Sequence, residues 1–482
     1  MGKTTKTREE FIKHLFRNSS DVVVEIHDIF NESKINEMLV IYCQGLADTK
    51  MLMDSILPDI QTNYYYHGLK SMRSISPSEK VFSQTDDMEQ VLTEKVFNGF
   101  TAIIIAEYIY FFNTANPPKR NPEESNSEVS VRGPRDAFVE DIQSNFALVR
   151  KRVKSNSLVT KSFVIGKRSR TQVQLVYLSD IQDEKLIDDV TERLNQIDID
   201  FLSSDNQLLG LLGHSHYSLF PLLESVSRPD GVVTSLSRGR FAIFIDNVPN
   251  VIVAPSNLSL FLKTSEDEYT PFYYATFEIL LRLTGLLISL FLPAAWVALT
   301  SYNVDQIPFQ MLATIASSRI GIPFNSTIEI LIMLGLFELF REAGVRLPKP
   351  VGQTVAVVGG LIVGDAAIRA GLTSPTMLVI TAITVVATFT LGNQALFGTV
   401  SIIRVVSLLF ASVLGMFGFL ISVFLTLGYL AKLESFGIPY LSPVSPFVRA
   451  DFVKAFTKPP VVKQNKRAAI LHPKDGDRQG EE

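Results

Sequence analysis

The chain has 482 residues, enough for two or three domains with cores of their own. Its 45 Lys and Arg against 49 Asp and Glu leave a formal charge of −4, a sum over unlike stretches that selects no class of partner. The single cysteine, Cys43, excludes a disulfide framework and a cysteine-rich zinc site, and its apolar neighbours 38–42 mark it as an inert core residue.

The apolar run 22–24 is too short for a signal peptide and is flanked by Asp21 and Glu25. With no export signal, the half of the chain before Arg282 is expected to stay cytosolic. Within that half, two pairs of segments resemble each other in the same order. Residues 39–50 and 174–185 each read as an apolar strand, a polar turn and an amphipathic helix. Residues 97–107 and 237–246 each place a Gly between a helical segment and a hydrophobic strand that returns as a hairpin. The reading is two similar α/β subdomains, 1–115 and 131–262, each a strand and helix, a helix, and a strand hairpin. Between them, residues 116–130 are rich in Pro, Asn, Ser and Glu and read as a linker.

From residue 283 the composition changes, and 270–431 reads as a helical transmembrane domain of four to five spans. Segments 283–302, 376–397 and 403–430 are long and almost uncharged, with Arg404 near one end of the last. Segment 351–371 is as apolar but holds Asp365 and Arg369, and 322–340 holds Glu329 and Glu338. Segment 307–320 is too short to cross and reads as interfacial or re-entrant. Glu338, Arg341 and Glu342 read as an ion-pair cluster at a helix end. Five spans set the Arg341/Arg346/Lys349 loop inside and the basic tail outside; four bring the tail inside, the preferred side, and move the loop. The tail, 432–482, is polar and expected to be partly disordered.

On the helix expected from residue 351, Thr354, Val358, Ile362, Asp365 and Arg369 share a face at spacings of four, four, three and four. Gly352, Gly359, Gly360 and Gly364 on the same segment allow close approach by neighbouring helices. Two readings fit: a pore wall repeated around an oligomer axis, or a packing seam with an Asp365–Arg369 pair near one end. His214 and His216 flank Ser215 with no spaced partner to complete a metal site, and Lys167 to Arg170 is a solvated turn. No phosphate-binding loop or nucleophile elbow is present, so the expectation is no enzyme activity, no cofactor, no metal and no nucleic acid.

The stretch from Glu338 through Arg341, Glu342, Gly344, Arg346 and Pro348 to Gly352, Gln353 and Thr354 resembles the hallmark of the A-subunit family of spore nutrient germinant receptors. Three further segments agree: Arg132-Gly133-Pro134 and its continuation to Arg152, Arg228-Pro229-Asp230, and 435–440. The resemblance covers residues 39–443. It implies a spore inner-membrane protein that works with a transporter-like B subunit and a lipoprotein C subunit. It further implies a ring, a pentamer, passing cations when nutrient binds, with the helix after Gln353 as pore wall and Thr354, Val358, Ile362, Asp365 and Arg369 along it. Asp365 stands where the family usually has Gln, and 265–269 and 318–324 also depart from its pattern. A non-conducting scaffold, or a sporulation paralogue that amplifies germination, is the alternative.

Overall fold

The computed structural model describes residues 2–31, 34–67, 79–82, 86–116, 128, 130–213, 218–346 and 364–478. Strands β1 (Val22–Asn31), β2 (Lys34–Cys43), β3 (Glu79–Val81), β4 (Phe100–Ile105) and β5 (Tyr108–Asn113) form an antiparallel sheet in the order β1-β2-β4-β5-β3. Strands β6 (Leu158–Ile165), β7 (Thr171–Leu178), β8 (Glu224–Val226), β9 (Phe241–Ile245) and β10 (Val251–Ala254) form a second, β6-β7-β9-β10-β8, with the same topology. The matching sequence segments feed the second and third positions of each sheet, β2 with β7 and β4 with β9. Each sheet also has an outer strand before those segments, β1 or β6, and a short edge strand, β3 or β8. The sequence reading did not anticipate these four, because β1 and β6 interrupt their apolar pattern with charges and the edge strands are three residues long.

Side chains alternate between the faces of a strand, so a strand apolar at every position needs cover on both sides. The first sheet has it from α1 (Gly2–Leu15), α2 (Leu57–His67) and α3 (Asp86–Phe97). Leu39, Ile41 and Cys43 meet α1 and α3, while Met38, Val40 and Tyr42 meet α2. Around the second sheet lie α4 (Ile142–Arg150), α5 (Glu184–Gln196), α6 (Asp205–Leu212) and α7 (Pro229–Ser237). Val173 and Leu175 face α5 and α6; Val176 and Leu178 face α4 and α7. Asp141, Asp183 and Ser204 cap the N-termini of α4, α5 and α6.

Arg150, at 0 % exposure, joins the two α/β units. Its Nε and Nη2 donate to Asp21 at 3.2 Å each, and Nη1 and Nη2 reach the carbonyls of Ser155 and Leu158 at 2.9 and 3.1 Å. The guanidinium lies 4.1 Å from the ring centroid of Phe97.

Among the described residues the helices that follow are α8 (Phe272–Ser301), α9 (Phe309–Ser318), α10 (Ser326–Arg346), α11 (Gly364–Arg369), α12 (Pro375–Phe389) and α13 (Ala395–Lys432). By length and composition, α8 and α13 are able to cross a membrane. The 38-residue α13 is not straight, because Gly415 has φ 61° and ψ −138° in its middle. The Thr399 hydroxyl donates to the carbonyl of Leu219, and the Leu219 amide donates to Tyr429 Oη at 2.9 Å. On a straight helix those partners stand roughly 45 Å apart. The helix therefore doubles back at Gly415 into two antiparallel arms, with the Tyr302 ring packed into the turn. Segment 403–430, read as one span, is a hairpin.

The segment read as a span over 376–397 also differs. Helix α12 ends at Phe389, and 390–394 form a turn before α13 begins. Gly392 packs against Thr264 and Asn393 Oδ1 accepts from the Ala395 amide at 2.9 Å, contacts that a hydropathy average does not register.

After α13 the chain returns to the second α/β unit. Phe436 enters its core edge-on to Phe241, with ring centroids 5.2 Å apart. Tyr440 is buried against Phe220 and Phe261, and Asn257 Nδ2 donates to the Ser442 carbonyl at 3.0 Å. Helix α14 (Arg449–Phe456) and the segment up to Arg478 continue over the same surface.

Candidate functional site: the joint between the α/β half and the helices

The turn 265–269, just before α8, has three consecutive acids, and each binds a different arginine. Glu266 takes Arg228 Nη1 at 2.9 Å and the amides of Val131 and Arg132 at 3.1 and 3.2 Å. Asp267 takes Arg282 of α8 at 2.8 Å and closes a capping box with Thr264. Glu268 takes Arg238 at the end of α7. Arg228 also makes a two-pronged contact with Asp230, at 3.0 and 2.7 Å. Pro229 opens α7, where its missing N–H has no helical partner to lose. Gly133 lies so close to Arg228 that a Cβ there would stand 2.5 Å from Nη2. The motif residues Arg132, Gly133, Arg228 and Asp230, far apart in sequence, thus meet around one guanidinium: Arg228 binds Glu266 and Asp230, Gly133 packs against it, and the Arg132 amide shares Glu266. The residues the sequence reading missed are Glu266, Asp267 and Glu268; the signal was present, since 265–269 was noted only as a departure from the family pattern.

A second tie runs from β8 to the α12–α13 turn: Asn393 Nδ2 donates to Glu224 Oε1 at 3.0 Å. Burial, reinforced by nearby Glu128, pushes the Glu224 carboxyl up to about 8, against the pull of Arg240. An acid with a raised folded-state pKa keeps its proton while the unfolded chain loses it, so the stability it contributes is complete below about 4.5 and is lost as pH rises through about 8. Glu224→Gln keeps the acceptor for Asn393 and removes the charge. The variant is expected to match the wild-type unfolding midpoint at pH 4.5 and to exceed it by several degrees, roughly, at pH 8.5. Equal midpoints at both pH values would show that Glu224 ionises freely.

Among the helices, Glu338 takes Arg341 at 2.5 Å, Arg404 at 2.7 Å and the Ser401 hydroxyl at 2.6 Å. Glu342 turns instead to Arg346, at 2.7 Å, so the expected Glu338/Arg341/Glu342 cluster is replaced by one that bridges α10 and α13. Gly344 lies between them on α10 with open space at its Cβ position. At the opposite end of α10, Glu329 is fully buried. Its Oε1 accepts from the Ser374 amide at 2.6 Å, the Ser374 hydroxyl at 2.5 Å and the Thr373 hydroxyl at 3.3 Å, and Arg319 lies 3.9 Å from Oε2.

Of the residues expected along a pore, Asp365 and Arg369 are on α11 and form the i, i+4 pair at 2.8 Å, with side chains 58 % and 79 % exposed. Gly364 is buried against Leu378 of α12. Thr354, Val358, Ile362, Gly352, Gln353, Gly359, Gly360 and Pro348 lie outside the described residues, as do His214 and His216. Among the described residues no group of three His, Cys, Asp or Glu side chains is placed to hold a metal.

The geometry defines an α/β platform fastened by buried ion pairs to a layer of apolar helices. The profile of the family described as Bacillus/Clostridium GerA spore germination protein matches residues 10–470. Spore germination protein XA of Bacillus anthracis is 38 % identical over 99 % of this chain and 98 % of its own length. An uncharacterized membrane protein of Bacillus subtilis strain 168, YfkQ, is 35 % identical over 87 % of this chain and 83 % of its own. The crystal structure of the N-terminal domain of the A subunit of the Bacillus megaterium spore germinant receptor GerK3 aligns at 25 % identity and a TM-score of 0.38, over 51 % of this chain and 92 % of that one. The chain belongs to the GerA spore germination family, and is a germinant receptor subunit.

Proposed function

We propose that this subunit assembles with copies of itself into a ring, a pentamer, that forms a nutrient-gated cation channel in the spore inner membrane. A transporter-like B subunit and a lipoprotein C subunit complete the receptor. The α/β half is cytosolic, and Thr354, Val358, Ile362, Asp365 and Arg369 line the pore.

One observation supports this above the rest. The chain on either side of 347–363 is held at opposite ends of the helix layer. Arg341 of α10 lies beside Ser401, near the α/β half, while the turn after α11 is bonded to Glu329 at the far end. In this reading the chain between these points crosses the layer once, and the described residues that follow it carry Asp365 and Arg369 with exposed side chains. An exposed charged pair among apolar helices is stable where water or a second subunit meets it, and a pore axis would supply both.

The same reasoning gives six crossings: α8, α10, the segment 347–369, α12 and the two arms of α13. An even number returns the tail to the side of the α/β half, as its packing on Phe241 and Asn257 requires. That side carries Arg341, Arg346 and the lysines of the tail, which fits a cytosolic face.

The test is cation flux and subunit number for purified protein in liposomes. Ile362→Ala is expected to raise the leak several-fold, roughly, by removing an apolar constriction, and Asp365→Asn to lower cation-over-anion selectivity. A monomer or dimer with no flux in either variant would move the function to partner docking.

A further inference from the structure

A cavity of about 970 Å³ lies where the second α/β unit, the start of α8, the 390–394 turn and the tail meet. It has the size of a small-molecule site. Its charges do not balance locally. The acids on its wall all have partners: Glu266, Asp267 and Glu268 bind Arg228, Arg282 and Arg238; Glu278 lies 3.7 Å from Arg282; Glu128 accepts from the Ser227 amide at 3.0 Å and Asp451 from the Ile470 amide at 3.1 Å; Asp205 accepts from Ser225 and Asn250, and Glu224 from Asn393.

Six cations on the same wall have no carboxylate within ion-pair distance among the described residues: Arg132, Arg240, Lys263, Lys454, Lys466 and Arg478. Their hydrogen bonds go to neutral oxygens. Arg240 Nε donates to the Pro255 carbonyl at 3.0 Å, Lys263 to that of Lys454 at 2.5 Å, and Lys454 to that of Lys466 at 3.1 Å. Arg478 donates to Gln464 Oε1 at 2.9 Å. These bonds stitch the tail down, and carboxylates act on the cations only beyond ion-pair distance: Glu224 on Arg240, Asp267 and Glu268 on Lys263, and Glu268 on Arg478.

We propose that this cavity binds a phosphate-bearing anion, held by Arg240 and Lys263 from the α/β unit and by Lys466 and Arg478 from the tail. Guanidinium and ammonium groups from separate elements converging on one space are the usual means of holding phosphate oxygens. The crowding is visible in the groups themselves. Burial, with Arg238 and Arg240 adding repulsion, brings Lys263 down to about 7; burial and Arg238 bring Arg240 down to about 10. An anion relieves that repulsion and fixes the tail over the joint. Because the wall includes Tyr274, Glu278 and Arg282 at the start of α8, the phosphate has two possible sources, a soluble molecule or a lipid headgroup.

The experiment uses the full chain and needs no channel activity, so its outcome is separate from that of the flux test. Unfolding midpoints are measured in neutral detergent with inorganic pyrophosphate, and in nanodiscs of phosphatidylcholine with or without phosphatidylglycerol. Pyrophosphate is expected to raise the midpoint, and Lys263→Met to weaken its apparent affinity at least tenfold, roughly. Lys466→Gln and Arg478→Gln, on exposed tail side chains that leave the fold intact, are expected to weaken it about threefold each. Protection by phosphatidylglycerol alone, lost in the same variants, supports the site and names the headgroup as its ligand. No protection by either probe, or protection equal in wild type and all three variants, overturns it.

Discussion

Arg150→Ala is expected to give the largest loss of stability of any single change in the α/β half. The side chain is fully buried and its four hydrogen bonds span both units. Truncation leaves the Asp21 carboxylate, itself only 9 % exposed, without its cation, and takes a donor from the carbonyls of Ser155 and Leu158. Removing one partner of a buried pair costs about 3–5 kcal/mol, most of it the desolvation of the charge left behind. In the detergent-solubilised full chain this corresponds to a fall in unfolding midpoint on the order of 10 °C. The mechanism makes a second statement: adding Asp21→Leu to Arg150→Met should recover much of the loss, because no stranded charge remains. If the double variant is as unstable as the sum of the singles, the loss comes from packing on Phe97 instead.

Glu329→Ala is expected to rank next, and it acts in the helix layer. One carboxylate oxygen there satisfies the Ser374 amide at the start of α12 and two hydroxyls, while the other faces Arg319 beyond α9. With alanine, three donors and a cation lose their acceptor in a fully buried site, at a cost of at least about 3 kcal/mol. Glu329→Gln keeps one acceptor oxygen and loses only the attraction for Arg319, so its effect should be less than half as large. Protease accessibility around residues 319–326 and 370–375, measured in nanodiscs, reports the loosening directly. In the proposed channel this contact also anchors the far end of the segment carrying Asp365, so Glu329→Ala should change flux even where the protein still assembles. Unchanged flux with a loosened turn would separate that anchor from conduction.

The two α/β units were legible because strands apolar on both faces repeat in a fixed order, a signal that survives divergence of every polar position. Their outer strands were not, since β1 and β6 face solvent on one side and follow the pattern of an amphipathic loop. In the helical half, hydropathy located apolar mass but not turns. The fold-back at Gly415 has no charge or proline to announce it; it is set by backbone φ and by Tyr302 packed against it. The joint was partly legible. Arg132, Gly133, Arg228 and Asp230 carry the family resemblance, but nothing in one sequence says that Arg228 draws them together with Glu266, more than thirty residues further along.

The docking of the tail also has a temporal side. Phe436 is part of the core of the second α/β unit, yet it follows every helix of the membrane half in sequence. During synthesis that unit emerges from the ribosome with a gap beside Phe241, and the gap stays open until the last hydrophobic segment has left the exit tunnel. Chains stalled inside the helices therefore display an unfinished hydrophobic face to proteases and chaperones. Closure of that face marks a receptor subunit whose translation has run through its final hairpin.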